Sequence, residues 1–328
     1  QECWGFFVGL LRSAVFRWKH QLWAMRALLL PLALVLVGCV AAKEFVVPAG
    51  ADVSRFFAEL PKEATLVRFS DAAEYRASGP IPLPDAALLV IDGAGSTLQL
   101  APNSTGFTRL VADQQEAMRK VSHRYVFRDF GAIVGGRKAF DLQATLGTSI
   151  TDCRLNGQTE TAVELRFCLM ARLTGVLVTN PGDRGFVIGI GQWEGANWNN
   201  SQSNSTTLQQ CRVFASRSTT VAFTVLNTSG VRMSDCISEG GPVEHDLFLS
   251  ATTDGDETKG ARNTVVKTFI LENFHVEHRA TKASLYINMP PRASVELSAI
   301  YWNSPQSSPV IEYVSGQLNI SDLGWWNP

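Results

Sequence analysis

A six-residue pattern that keeps returning constrains this chain more than anything else in it: apolar, polar, turn-former, apolar, variable and, in most copies, apolar. It reads at Phe127–Ala132, Ile150–Leu155, Leu173–Val178, Leu208–Val213, Met233–Ser238, Leu271–Val276, Leu297–Trp302 and Ile320–Trp325. Its fourth position forms the column Phe130, Cys153, Val176, Cys211, Cys236, Phe274, Ile300 and Leu323, whose members lie 23, 23, 35, 25, 38, 26 and 23 residues apart. A base period near 23, broken twice by about a dozen extra residues, marks stacked repeats. The third position is Asp152, Gly175, Asp235, Asn273 or Asp322 in most copies. These residue types tolerate the left-handed backbone needed for a sharp turn between two short strands.

A second strand signal precedes each copy, at Phe140–Ala144, Val163–Phe167, Phe186–Ile190, Phe223–Asn227, Leu247–Ala251, Leu285–Met289 and Ile311–Ser315. Its first and third positions are apolar and face a core; the second and fourth vary and face outward by strand alternation. Three short strands per coil of about 23 residues give a three-faced solenoid. The expected fold is all-β: a single-stranded right-handed parallel β-helix of about eight coils over 85–328, with the eight-residue column pointing inward. Residues 43–84 are expected to cap it, with an amphipathic helix at Ala51–Leu60 closing the end, because an open end exposes core and unpaired strand edges.

These repeats resemble the pectin lyase-like right-handed β-helix superfamily. Ile91–Thr97 looks like the Gly-rich lead-in to its first coils, and Ala51–Leu60 like its N-terminal plug. The resemblance implies the fold. It implies a polysaccharide or cell-surface glycan as partner less directly, because the superfamily holds lyases, hydrolases, epimerases, esterases, tailspikes and silent adhesins. Phe274–His278 looks like a phrase common in tailspike-type members. The Gly-His-Gly and paired Asp signatures of polygalacturonases, and the Asp-His and Arg patterns of pectate lyases, are absent from the sequence. A lyase or hydrolase and a non-catalytic binder therefore both stand. A net charge of -1 gives no pull toward nucleic acid.

Met25-Arg26, the apolar run Ala27–Val37 and the small residues to Ala42 read as an export signal at 25–42, with 1–24 as an upstream extension. Val40 and Ala42 suit ordinary cleavage before Lys43. Leu36–Cys39 resembles a lipobox, which makes Cys39 a candidate for acylation and the only expected link to a membrane. Secreted, periplasmic and lipid-anchored locations all fit. The remaining cysteines lack metal or redox spacing; Cys153, Cys211 and Cys236 read as small buried apolar residues, with a Cys211–Cys236 disulfide as the alternative.

The outward positions of the upstream strands are the expected functional face. Asp141 and Glu164 fall in one column on consecutive coils, with Gln143 and Arg166 in the next. Two carboxylates beside a guanidinium suit acid–base work or capture of an acidic sugar, and they equally suit a balanced surface. His245 is the reserve base. Thr224, Ser250, Tyr286 and Asn288 extend the floor. The two long additions follow these strands and are expected to wall the face. Trp193 and Trp198 would offer flat surfaces to sugar rings, with Glu194 bonding hydroxyls; the other reading folds the tryptophans back on the scaffold. Asp254, Asp256 and Glu257 form an oxygen-rich cluster suited to Ca2+ or simply to solvent.

Overall fold

The computed structural model describes residues 43–196, 200–251, 268–278, 280–303 and 309–325. Every strand pairing in it is parallel and joins one coil to the next, as in Asp141↔Glu164, Leu173↔Leu208 and Val178↔Val213. Three faces result. Face A stacks eleven described strands, from Glu44–Val46 through Ser149–Thr151 and Asn204–Gln209 to the first half of Gln317–Trp325. Face B follows it around each coil, and face C carries the upstream strands of the sequence pattern. Right-twisted strands favour right-handed winding for parallel crossovers of this kind.

The repeat alignment holds in detail. Asp129, Asp152, Gly175, Gln210, Asp235, Asn273, Ala299 and Asp322 all take φ between 50° and 64° at the corner of faces A and B. The residue after each turns inward. Phe130, Cys153, Val176, Cys211, Cys236, Phe274 and Ile300 are at most 1% exposed. Leu323 shares the register but is 42% exposed, since its strand ends the stack and has a neighbour on one side only. Backbone bonds from Arg154, Leu177, Arg212 and Ile237 to the carbonyls of Phe130, Cys153, Val176 and Cys211 tie the column together. All four described cysteines are free, so Cys211 and Cys236 form no disulfide. Burial pushes the thiols up, Cys153 to about 12 and Cys168 to about 11, which leaves them inert packing groups.

The stack begins earlier than the expected boundary at residue 85. Glu44–Val46 pairs with Leu66–Arg68, and that strand pairs with Leu88–Asp92. These early coils turn through longer corners, with Ala72 and Ala94 in the left-handed position. That spacing breaks the six-residue signature and hid the coils. Helix α1, Val53–Ala58, packs on Ile81–Pro82 and covers the end of the stack as expected. Asp52 caps it by accepting from Arg55 N at 3.1 Å. Phe57 drops into the core edge-on to Phe107, with centroids 5.6 Å apart. Aromatic stacking continues inside, notably Phe186 on Phe223 at 5.1 Å.

Candidate functional site

Face C brings the predicted charged residues together. Asp141 pairs in register with Glu164, and Gln143 with Arg166. Lys138, at the start of the same strand, reaches Asp141 Oδ2 at 2.8 Å and Glu164 Oε2 at 2.5 Å. Arg166 donates to Glu164 Oε1, and its Nη1 donates to Ile190 O at 3.1 Å. The next coil places Gly189 beside Arg166. A Cβ there would stand 3.2 Å from Nη1, so the bare glycine leaves room for the guanidinium.

The quartet is nearly enclosed: Asp141, Glu164 and Arg166 are 6–8% exposed. Burial raises the Asp141 pKa, and the ammonium of Lys138 only partly offsets it. Burial pushes Glu164 the same way, but Arg166 and Lys138 outweigh it and hold its pKa below the ordinary value. Burial would lower Lys138, yet its two carboxylate partners raise it. Asp141 Oδ1 is buried without a hydrogen-bond partner. Two neighbouring carboxyls are thus driven apart in acidity by their surroundings, the usual basis for dividing acid and base roles.

Lys138 was missed by the sequence reading. Its parity with Phe140 and Leu142 assigns it inward, but it sits at the strand's end and its long stem swings the ammonium out to the carboxylates. Phe167 also breaks alternation. Its φ of 54° turns its ring outward with Arg166, while Cys168 joins the core. A bulky residue in that region is a strained conformation of the kind that gathers at functional sites.

The walls differ from expectation. Trp193 does not offer a free ring: it is 8% exposed, packs on Phe167 with centroids 5.8 Å apart, and donates to Gln114 Oε1 at 3.0 Å. Gln114 opens helix α2, Gln114–Lys120, which the repeat pattern did not reveal. Asp113 caps this helix by accepting from Glu116 N at 2.7 Å, while Glu116 reaches back to Ala112 N at 2.6 Å. Together α2 and the loop after Gly189 roof the outer side of Ala144 and Phe167. Glu194 is exposed, and its backbone carbonyl accepts from Gln114 N at 3.2 Å. Trp198, Asp254, Asp256, Glu257 and Cys39 lie outside the described residues. Among the described residues no group of acidic, histidine or cysteine side chains could hold a metal.

His245 is not beside the quartet. It lies three coils beyond Glu164, about 14 Å along the stack. Its Nδ1 meets Ala283 O at 2.6 Å, and its ring lies beside both Phe248 and Tyr286, with centroids 5.6 and 5.5 Å away. Tyr286 stacks flat on Phe248 at 4.7 Å. Asn288 is buried, accepting from Ser315 Oγ at 3.1 Å. Face C therefore has a charged end and an aromatic end, separated by Val187 and Thr224 in the same outward column. The Thr224 hydroxyl is buried and unpaired.

No protein-family model and no curated protein matches the chain. Several solved structures overlay on most of it. The catalytic domain of a GH87 alpha-1,3-glucanase in complex with nigerose is 9% identical with a TM-score of 0.36, over 87% of this chain and 69% of its own. An alginate lyase from Paenibacillus sp. is 9% identical with a TM-score of 0.40, over 86% of this chain and 99% of its own. The parallel pairing, inward column and left-handed corners described above give this chain a parallel β-helix fold.

Proposed function

We propose that face C acts on an extended acidic polysaccharide, with Asp141 as the group that transfers the proton. The observation that carries this is the split between two adjacent carboxyls: Asp141 raised by burial with one oxygen unpaired, Glu164 held down by two cations. A protonated Asp141 can deliver its proton to a glycosidic oxygen as the bond to the sugar breaks; in hydrolysis water then adds at the freed carbon and returns a proton to the Asp141 carboxylate, and in elimination that carboxylate takes the proton from the carbon beside the uronate carboxylate. Arg166 and Lys138 supply positive charge for a uronate carboxylate or for charge developing in the reaction. Glu164 positions both cations. The half-buried Tyr286, backed by the buried Phe248, gives a sugar ring an apolar contact further along the face.

Digestion of a panel of acidic polymers by the purified protein tests this. New ultraviolet absorbance from an unsaturated product marks a lyase; new reducing ends without it mark a hydrolase. Asp141→Asn should abolish either while leaving the fold intact. The mutual saturation of Glu164, Lys138 and Arg166 favours a second reading, a scaffold that retains a glycan without cutting it. Retention with no turnover in any form would establish that reading and end the first. Export belongs to the same proposal, and the N-terminal mass of the native protein tests it. A chain starting at Lys43, or at a diacylglyceryl-bearing Cys39, is expected; an unprocessed cytoplasmic chain overturns it.

A further inference from the structure

A trough of about 920 Å³ lies away from face C, along the corner of faces A and B. It crosses five successive coils, from the coil of Asp152 to that of Asn273. At the usual strand spacing that is about 19 Å.

One column of outward side chains on face B lines its length: Arg154, Leu177, Arg212, Ile237 and His275, stacked in register. Basic and apolar residues alternate, so a basic group recurs every second coil, about 10 Å apart. Arg154 and Arg212 are exposed and form no ion pair among the described residues. Arg137 and Arg232, outside the trough, are tied to Glu160 at 2.7 Å and Glu272 at 2.6 Å. His275 Nδ1 stands 3.5 Å from Glu277 Oε1. The turn side of the trough carries Asp152, Gln210, Asp235 and Asn273. Asn273 Nδ2 donates to Asp235 Oδ1 at 2.7 Å, which fixes two of that edge's hydroxyl-bonding groups.

We infer that the trough binds a linear polysaccharide bearing a carboxylate on alternate sugars, at a site separate from face C. The spacing selects this ligand. Each guanidinium can take a carboxylate in two parallel hydrogen bonds. Leu177 and Ile237, between them, meet the apolar faces of the intervening rings. The amides and carboxylates of the turn side accept or donate to ring hydroxyls. The site needs no chemistry at face C and holds the polymer without cutting it.

Affinity electrophoresis of the full chain tests it, through gels containing hyaluronan (alternating carboxylates), polygalacturonate (a carboxylate on every sugar) or dextran (neutral). Hyaluronan should retard the parent most. The double variant Arg154→Ala/Arg212→Ala should bind it about tenfold more weakly, one order in affinity for two lost charged contacts. Its melting temperature should match the parent's, since both side chains are exposed. Asp141→Asn should keep the parent's retardation, which separates this site from the reaction proposed for face C. A double variant retarded like the parent overturns the inference. So does a parent that hyaluronan fails to retard, or that polygalacturonate or dextran retards as strongly.

Discussion

Asp141 and Glu164 are neighbours in one column, yet they should respond oppositely to mutation and pH. Glu164 has both oxygens on cations and is 6% exposed. Glu164→Gln strands the buried Arg166, leaves Lys138 with Asp141 alone, and should cost about 3–5 kcal/mol in urea denaturation. Asp141→Asn leaves Lys138 paired with Glu164 and should cost much less; equal losses would show that the asymmetry is wrong. The pH signs follow from the shifts. Glu164 is lowered when folded, so its stabilisation is full above its ordinary value of 4.5 and is lost as pH falls through the lowered one. Asp141 is raised when folded, so its ionisation costs stability as pH climbs from its ordinary 3.8 through the raised value. Glu164→Gln should therefore flatten the acid side of a melting-temperature profile, and Asp141→Asn the side just above it. Turnover that needs protonated Asp141 should fall over that same upper window. Stacking arithmetic alone made this pair and Arg166 legible. Lys138 was not, because its parity says inward and only a strand end lets it swing out.

At the scale of single elements, the corners and the roof carry the clearest expectations. Gly175 sits at φ 64° with Asp152 Oδ1 2.4 Å from where a Cβ would be. Gly175→Ala should cost about 1–3 kcal/mol, the usual range for a strained left-handed residue, readable as a lowered melting temperature. Trp193 pins the loop after Gly189 to α2 through Phe167 and Gln114. Trp193→Ala should speed hydrogen exchange in 114–120 and 190–196 while leaving the face A strands protected; uniform deprotection would show that the roof is part of the core. The corners were readable because Asp, Asn and Gly recur at a fixed place in the repeat. The roof was only half readable. Asp113 and Glu116 form a recognisable capping pair, but a seven-residue helix inside a long connection has too few turns for its apolar face to stand out.

Across the whole molecule the strands of each coil pair only with those of its neighbours, so damage should spread along the axis in steps. Val176 is fully buried between Cys153 and Cys211. Val176→Asp places an unpaired charge there and should cost at least about 4 kcal/mol. Calorimetry should then show the coils on either side melting separately; an unchanged single transition would contradict the stacking. What the amino-acid sequence determined was the periodic part: the coil length, the inward column, the left-handed corners and the outward column holding Asp141 and Glu164. Those follow from local alternation and turn chemistry, which repeat with every coil and so accumulate signal. Tertiary structure alone decided the rest: two coils before residue 85, the withdrawal of Trp193, the reach of Lys138, the separation of His245 from the charged quartet, and a trough at the corner of faces A and B. Each depends on how a non-repeating segment or a long side chain settles against several coils at once. Contacts of that kind occur once, between residues far apart in the chain, and leave no period to read.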